Sequence, residues 1–289
     1  MFRIVRKTMI ATDVTMTVIE APKIARKRKP GQFVILRLYE KGERIPLTIA
    51  DADPDRGTIT VISQRVGKST AYLEYMPESG EILDVVGPLG HPTKIEHYGN
   101  VVCIGGGIGI APVHPIAQGM KLAGNYVTSI LGARTKSLLI FEDRMRAVSD
   151  NVHICTDDGS YGVRGFVTDV LVDLLKKGIR YNLAVGVGPI PMMRAVSALT
   201  REWDIPTIVS LNSLMVDGTG MCGACRVTVD GVTRFTCVDG PEFNGHKVDF
   251  DELMHRLRMF DTMSTAERER YEAEHKNPEC TVQKNYETE

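Results

Sequence analysis

NVVCIGGGIGIAPVHPIAQGMKLAGN, residues Asn100–Asn125, is where the chain changes its grammar. An apolar run, Val101–Ile104, leads into a glycine turn, and apolar residues at helical spacing follow. A short β-rich run without alternation suits a strand buried on both faces. Strand and helix patterns then take turns: YVTSILGA, LIFEDRMRAVSD, NVHICTDDG, FVTDVLVDLLKKG, YNLAVGVG and IPMMRAVSALTREW, with TIVSLN as a candidate last strand. Such alternation predicts an α/β domain with a parallel sheet and helices on both faces, assigned to residues 99–209.

Upstream, residues 1–98 hold short alternating runs such as TMTVIEA, GQFVILRLYE, GTITVISQR and EILDVVGP, each bounded by Gly, Pro or Asp. This pattern predicts an antiparallel barrel or sandwich, with one helix near Ser69–Met76. Downstream, residues 210–250 are rich in glycine and cysteine and too few to bury a large core, so a metal centre would supply the missing stability. Residues 251–289 begin as an amphipathic helix and become a charged tail.

Bulk properties narrow the function. The 289 residues are 43% apolar and 25% charged with a net charge of −1, which fits a multidomain globular protein and favours neither nucleic acid nor an anionic membrane. No apolar run reaches the ~18 residues of a membrane span. The first twenty residues alternate and lack the apolar core of a signal peptide, so the expectation is a cytoplasmic protein. In a reducing compartment clustered cysteines are metal ligands or catalysts more often than disulfides. Cys103 reads as a strand core residue, and Cys155 and Cys280 carry no assigned role.

The glycine turn Gly105, Gly106, Gly107, Ile108, Gly109 opens a helix, where backbone N–H groups and the helix dipole suit a pyrophosphate. The alternative is a tight strand–helix turn. A second turn, Gly188–Pro189, closes a later strand of the same unit and falls at the same sheet edge. Asp157 and Asp158 end another strand, where a carboxylate accepts from ribose hydroxyls and repels a 2′-phosphate. Arg134 and Lys136 pull the other way, towards a 2′-phosphate. The balance favours NAD over NADP. A solvated turn is the other reading of the Asp pair. In the first domain, Arg44 of RIPLTIA is a cation in an apolar strand, and Gly67, Lys68, Ser69 and Thr70 open a helix. Both features suit phosphate groups and suggest a second dinucleotide. A surface arginine and a helix cap are the commoner explanations of each alone. His91 and His114 read as structural.

The order PGQF, RxPLT, GKST, GPLG, GGGIGIAP and GPxPMM over about residues 1–200 resembles the ferredoxin–NADP reductase superfamily. The resemblance implies a flavin-binding antiparallel barrel followed by a nicotinamide-binding α/β domain. The usual flavin motif is R-x-Y-S; here Pro46 and Leu47 stand at the aromatic and serine positions and Thr48 follows. That variant is similar to the branch of electron-transfer subunits carrying an added [2Fe-2S] cluster. The resemblance implies FAD on the barrel, Arg44 near its pyrophosphate, and the Leu47–Ile49 backbone or the Thr48 hydroxyl near the isoalloxazine. Val187 replaces the cysteine that most members carry before the late Gly-Pro.

Asp217, Cys222, Cys225 and Cys237 form D-x4-C-x2-C-x11-C, in which an aspartate occupies the first position of a plant-type C-x4-C-x2-C…C cluster site. Gly218, Gly220 and Gly223 leave room for a backbone wrapped round a cluster. The alternative is structural zinc on the three thiols with His246. CVDGPEF also resembles the family's cluster-domain ending. Nicotinamides carry hydride and clusters take single electrons, so the expected chain is NAD(H), FAD, [2Fe-2S] and then a partner, with no catalytic acid, base or nucleophile. Within the branch, the Asp217 substitution and the charged tail resemble subunits of NADH-dependent reduced ferredoxin:NADP oxidoreductases. That resemblance implies electron bifurcation with a larger flavoprotein partner bearing [4Fe-4S] clusters and an NADP(H) site, on which ferredoxin docks. The alternative is the electron-transfer subunit of dihydroorotate dehydrogenase B. A remoter reading is a non-catalytic nucleotide-binding regulator stapled by zinc.

Overall fold

In a computed structural model the chain is described at residues 1–259, 265–267 and 269–271. Cys280 and most of the expected tail lie outside the described residues. The barrel strands are β1 (Phe2–Ala11), β2 (Val14–Glu20), β3 (Phe33–Arg37), β4 (Arg44–Asp53), β5 (Thr58–Gln64), β6 (Glu81–Ile82) and β7 (Asp84–Leu89), with short α1 (Pro22–Ala25) and α2 (Lys68–Tyr75) between them. They form one antiparallel sheet in the order β6-β1-β2-β5-β4-β3-β7, and only Leu83 separates the two edge strands, so the sheet is nearly closed. The alternating N-terminal stretch is a hairpin rather than one strand, because Asp13 takes a left-handed φ of 58° and lets the chain reverse. Ile19, Val34, Leu36, Ile49 and Ile59 fill the barrel.

The second domain contains β8 (Asn100–Gly106), α3 (Ile110–Leu122), β9 (Tyr126–Ala133), α4 (Glu142–Val148), β10 (Asn151–Thr156), β11 (Val163–Arg164), α5 (Val167–Lys176), β12 (Leu183–Val187), α6 (Ile190–Glu202) and β13 (Thr207–Ser210). Strands β8 to β13 pair in parallel. Alternate residues of β8 serve opposite faces: Val101 and Cys103 join a core with α3, whereas Val102 and Ile104 meet α5 and α6. The α3 core also takes in Val14, Ala50 and Ile62 of the barrel, so the first two domains share one apolar interior. An ionic latch flanks it: the Asp51 carboxylate lies 3.6 Å from Arg28 and 3.4 Å from Arg144 of α4.

The remainder comprises β14 (Arg226–Val229), β15 (Val232–Phe235), α7 (Thr236–Asp239), β16 (Glu242–Asn244) and α8 (Phe250–Arg258). Strand β16 pairs antiparallel with β13 and so extends the nucleotide sheet to the order β11-β10-β9-β8-β12-β13-β16. The cysteine-bearing stretch is therefore an excursion between two neighbouring strands. It packs on the barrel through Phe33 and Ile35, and on α6 and α8 through Val227, Ile190 and Phe250. The Asp249 carboxylate caps α8 by accepting from the Glu252 amide at 2.9 Å.

Candidate functional site

One cleft of about 890 Å³ runs between the barrel, the two glycine turns and the segment leading to the cysteines. Its size lies at the upper end for ligand pockets. From the barrel it takes Arg44, Pro46, Leu47 and Thr48 of β4, with Thr70 of α2. Ile49 does not reach it. That side chain is fully buried in the barrel, and its amide donates to the Gln32 carbonyl at 3.1 Å. Arg44 is exposed and makes no ion pair among the described residues, while its cross-strand neighbour Arg37 is held by Asp84. The GKST segment is less open to a ligand than its sequence suggests. The Ser69 hydroxyl is committed to the Glu43 carboxylate, and the Thr70 hydroxyl bonds the Gly67 backbone at 3.0–3.1 Å as a helix cap. Gly67 has open space where a side chain would stand, and Lys68 is half-buried at the helix start.

The two glycine turns interlock. A Cβ on Gly109 would lie 2.3 Å from the Val187 carbonyl oxygen, and one on Gly188 would lie 3.1 Å from the Gly106 oxygen. Gly105 and Gly106 are likewise closed by Ile110 and Met192, so they serve packing beneath the cleft. Gly107 takes φ 55° and faces open space. Ile108, Gly109 and Gly188 line the cleft, and Pro189 caps α6 behind them. Asp157 and Asp158 stand apart from it, exposed after β10, two strands from β8. Asp158 accepts from the Ser160 hydroxyl and amide at 2.7 and 2.9 Å, and these bonds hold it below the usual carboxylate range. That is the geometry of a self-contained turn. Lys136 packs over the Tyr161 ring at 5.0 Å.

Residues Ser210–Val216 form the third wall, which periodicity did not reveal because the segment is irregular. Ser213 in this wall is buried and its hydroxyl has no hydrogen-bond partner among the described residues. A cleft with an orphaned hydroxyl in one wall, an unpaired arginine at another and a mainly apolar lining fits a large cofactor with an anionic part.

Val216 leads directly to Asp217. Left-handed Gly218, Gly220 and Gly223, with φ from 65° to 85°, coil the loop tightly. Asp217 accepts from the Thr219 amide at 2.8 Å and the Cys222 amide at 3.0 Å, and these bonds hold its carboxyl below the usual range. Cys225 and Cys237 are buried with their sulfurs 3.2 Å apart. Burial first, and the Cys225 contact second, push the Cys237 thiol up to about 12. Cys222 is exposed. The donors thus form two pairs, Asp217 with Cys222 and Cys225 with Cys237. Among the described residues no three such side chains converge on a point suited to one ion. Paired donors fit a two-metal cluster better than one tetrahedral zinc. His246, the alternative fourth zinc ligand, is elsewhere: its Nε2 lies 3.1 Å from the Thr200 hydroxyl of α6.

Comparison with known proteins agrees with this geometry. Residues 212–249 match the family model described as the iron-sulfur cluster binding domain of dihydroorotate dehydrogenase B. A Thermotoga maritima protein named as a dihydroorotate dehydrogenase B (NAD(+)) electron transfer subunit homolog is 50% identical, covering 93% of this chain and 94% of that protein. The electron transfer subunit from Geobacillus thermodenitrificans is 33% identical, covering 85% and 96%. A chain from a solved structure of the NADH-dependent reduced ferredoxin-NADP oxidoreductase, described in connection with flavin-based electron bifurcation, superposes with a TM-score of 0.88 at 49% identity, covering 93% and 97%. Identity of this order over nearly the whole of each chain leaves no separate fold or family to assign, and the chain belongs to the electron-transfer-subunit family of oxidoreductases that includes dihydroorotate dehydrogenase B.

Proposed function

We propose that this chain passes electrons between NAD(H), bound FAD and a [2Fe-2S] cluster to or from a larger partner subunit in NADH-dependent ferredoxin:NADP oxidoreduction. The observation that carries the reading is the single cleft whose walls are the barrel's Arg44–Thr48 stretch, the two glycine turns, and the strand end that continues into Asp217. Bound FAD supplies the exchange between two-electron hydride and single-electron chemistry. The residues of this chain supply position. Arg44 would neutralise the flavin pyrophosphate, and Leu47 and Thr48 would position its ring system. Gly107, Ile108 and Gly109, with Gly188–Pro189, would seat the nicotinamide nucleotide on the other side of the cleft, while Asp157, two strands away, would reach only its outer ribose. Asp217, Cys222, Cys225 and Cys237 would hold the cluster. Apolar walls limit water in the cleft.

The aspartate at the first cluster position favours the bifurcating branch over the dihydroorotate branch. In that reading the partner carries a second flavin, [4Fe-4S] clusters and the NADP(H) site. It receives ferredoxin, and the complex works in the cytoplasm. No helix among the described residues is long and apolar enough to cross a membrane. The dihydroorotate branch is the second reading, supported by the names of the relatives and by the matched cluster domain. Anaerobic purification of the native complex, with flavin, iron and zinc counts and identification of the bound subunit, tests both. A large iron-sulfur flavoprotein is the expected partner. A dihydroorotate-oxidising subunit would move the chain to the second reading. Zinc without flavin would overturn electron transfer altogether.

A further inference from the structure

Glu242 is an acid set where three parts of the molecule meet. It lies on β16, paired with Ser210 of β13, and its neighbour Pro241 and that same Ser210 both line the cleft. Its Oε1 accepts from the Thr93 hydroxyl at 2.5 Å, in the segment joining barrel to nucleotide domain. It also rests on the barrel's Gly31, where a Cβ would come within 2.7 Å of the same oxygen. Around it the junction is knit by neutral bonds: Thr93 N to the Pro30 carbonyl, and His91 N to the Gly240 carbonyl. Among the described residues it makes no ion pair with a lysine, arginine or histidine, and Lys94, next to Thr93, pairs with Glu96 at 3.0 Å instead. The titratable groups that sense it are the Cys103 thiol of β8, pushed up to about 12 chiefly by burial, and the Tyr98 phenol, raised first by burial and next by Glu96. Neither is a cation, and both are neutral near pH 7.

Glu242 is half-buried, and a carboxylate drawn even partly out of water without a counter-ion is costly; proteins relieve that cost by holding the proton. Burial pushes Glu242 up to about 7, although the Thr93 bond opposes the rise. The group therefore holds a proton far more readily than an exposed glutamate does, one residue behind the cleft wall.

We propose that Glu242 is the proton-binding partner of the electron this chain carries, taking up one proton when its redox centre is reduced and releasing it on reoxidation. The proposal rests on the electron-transfer reading above. The reduced nicotinamide nucleotide supplies its electrons in pairs, as hydride, and bound FAD would pass them on singly; for each single electron passed on, one proton from solvent forms an O–H bond on the Glu242 carboxylate. At Glu242 no other bond changes, and the junction gains no net charge. Electrostatics drives the coupling: an added negative charge nearby raises the proton affinity of the carboxylate, and protonation in turn makes reduction easier.

The test is a redox titration of the holo complex, following the cluster by EPR at several pH values across neutrality, after iron and flavin have been counted. The wild-type midpoint should fall with rising pH, approaching about 59 mV per unit for one proton per electron. Glu242→Gln should flatten that dependence. Redox-difference infrared spectra should show a protonated-carboxyl carbonyl band appearing on reduction, absent from the variant. Thr93→Val removes a bond that favours the ionised form, so its pH window should move upward; this variant decides the matter if the glutamine variant does not fold. A wild-type midpoint independent of pH, a slope retained in Glu242→Gln, or an unmoved window in Thr93→Val would each overturn the proposal alone. A complex without cluster and flavin would overturn the electron-transfer reading and the proposal with it.

Discussion

Asp217 shows how far one residue's chemistry can be read before any fold is known. Its place in the spacing marks it as the odd member of a ligand set, and the structure seats it beside Cys222 with its carboxylate held by two loop amides. Those amides keep the group ionised, which a metal ligand requires. A hard carboxylate binds iron less well than thiolate does. Asp217→Cys should therefore retain a cluster with an altered EPR spectrum and a shifted potential, and an unchanged spectrum would remove Asp217 from the ligand set. Other residues were legible only in part. Arg44 and Thr48 lie in the cleft as their motif suggests, but neighbouring Ile49 turns into the barrel core. Adjacent residues of a strand point to opposite faces, and a motif quoted as a string hides that. The Asp157–Asp158 pair was readable as a carboxylate at a strand end, whereas its distance from the cleft depends on strand order.

At the scale of elements, alternation of strand and helix was plain in the sequence because each buried strand is a compact apolar run and each helix keeps its own period. Strand β16 was not legible. Three residues, Glu242–Asn244, carry no period, and their pairing with β13 is set by tertiary contacts. The glycine turns were legible as turns, but their division of labour was not: which glycines are tight and which are open follows from what the second turn places against the first. This division can be measured. Gly109 has an ordinary helical φ of −62°, so a substitution there meets steric cost alone, from the Val187 carbonyl 2.3 Å away. Gly109→Ala should lose about 2–3 kcal/mol in urea unfolding and weaken nucleotide binding. Gly67→Ala, with nothing within reach of the new methyl group, should stay within about 0.5 kcal/mol of wild type.

Across the whole molecule, the barrel and the nucleotide domain are joined by the shared α3 core and by Asp51 with its two arginines. The Arg28 side chain is only 11% exposed, and burial lowers its pKa while Asp51 acts against the fall. Asp51→Ala would leave that guanidinium enclosed without its carboxylate. Because Asp51 itself is 43% exposed, the expected cost is about 1–3 kcal/mol, below that of a fully buried pair. The loss should appear as earlier separation of barrel from nucleotide domain in hydrogen exchange. A uniform loss of protection throughout the chain would show that the latch is not local to this interface. Neither arginine was singled out by sequence, since Arg28 and Arg144 are 116 positions apart and meet only through the fold.

The placement of β16 gives the assembly a sequence of its own. The strand that finishes the nucleotide sheet is made after the cysteines, so the sheet's edge cannot close until the intervening loop has been drawn in. A chain stalled before residue 242 would present β13 as a bare edge, open to pairing with other chains. Folding the cysteine loop and sealing that edge are thus neighbouring steps in the same stretch of chain. A chain truncated before β16 should therefore aggregate more readily than the full chain, as light scattering would show.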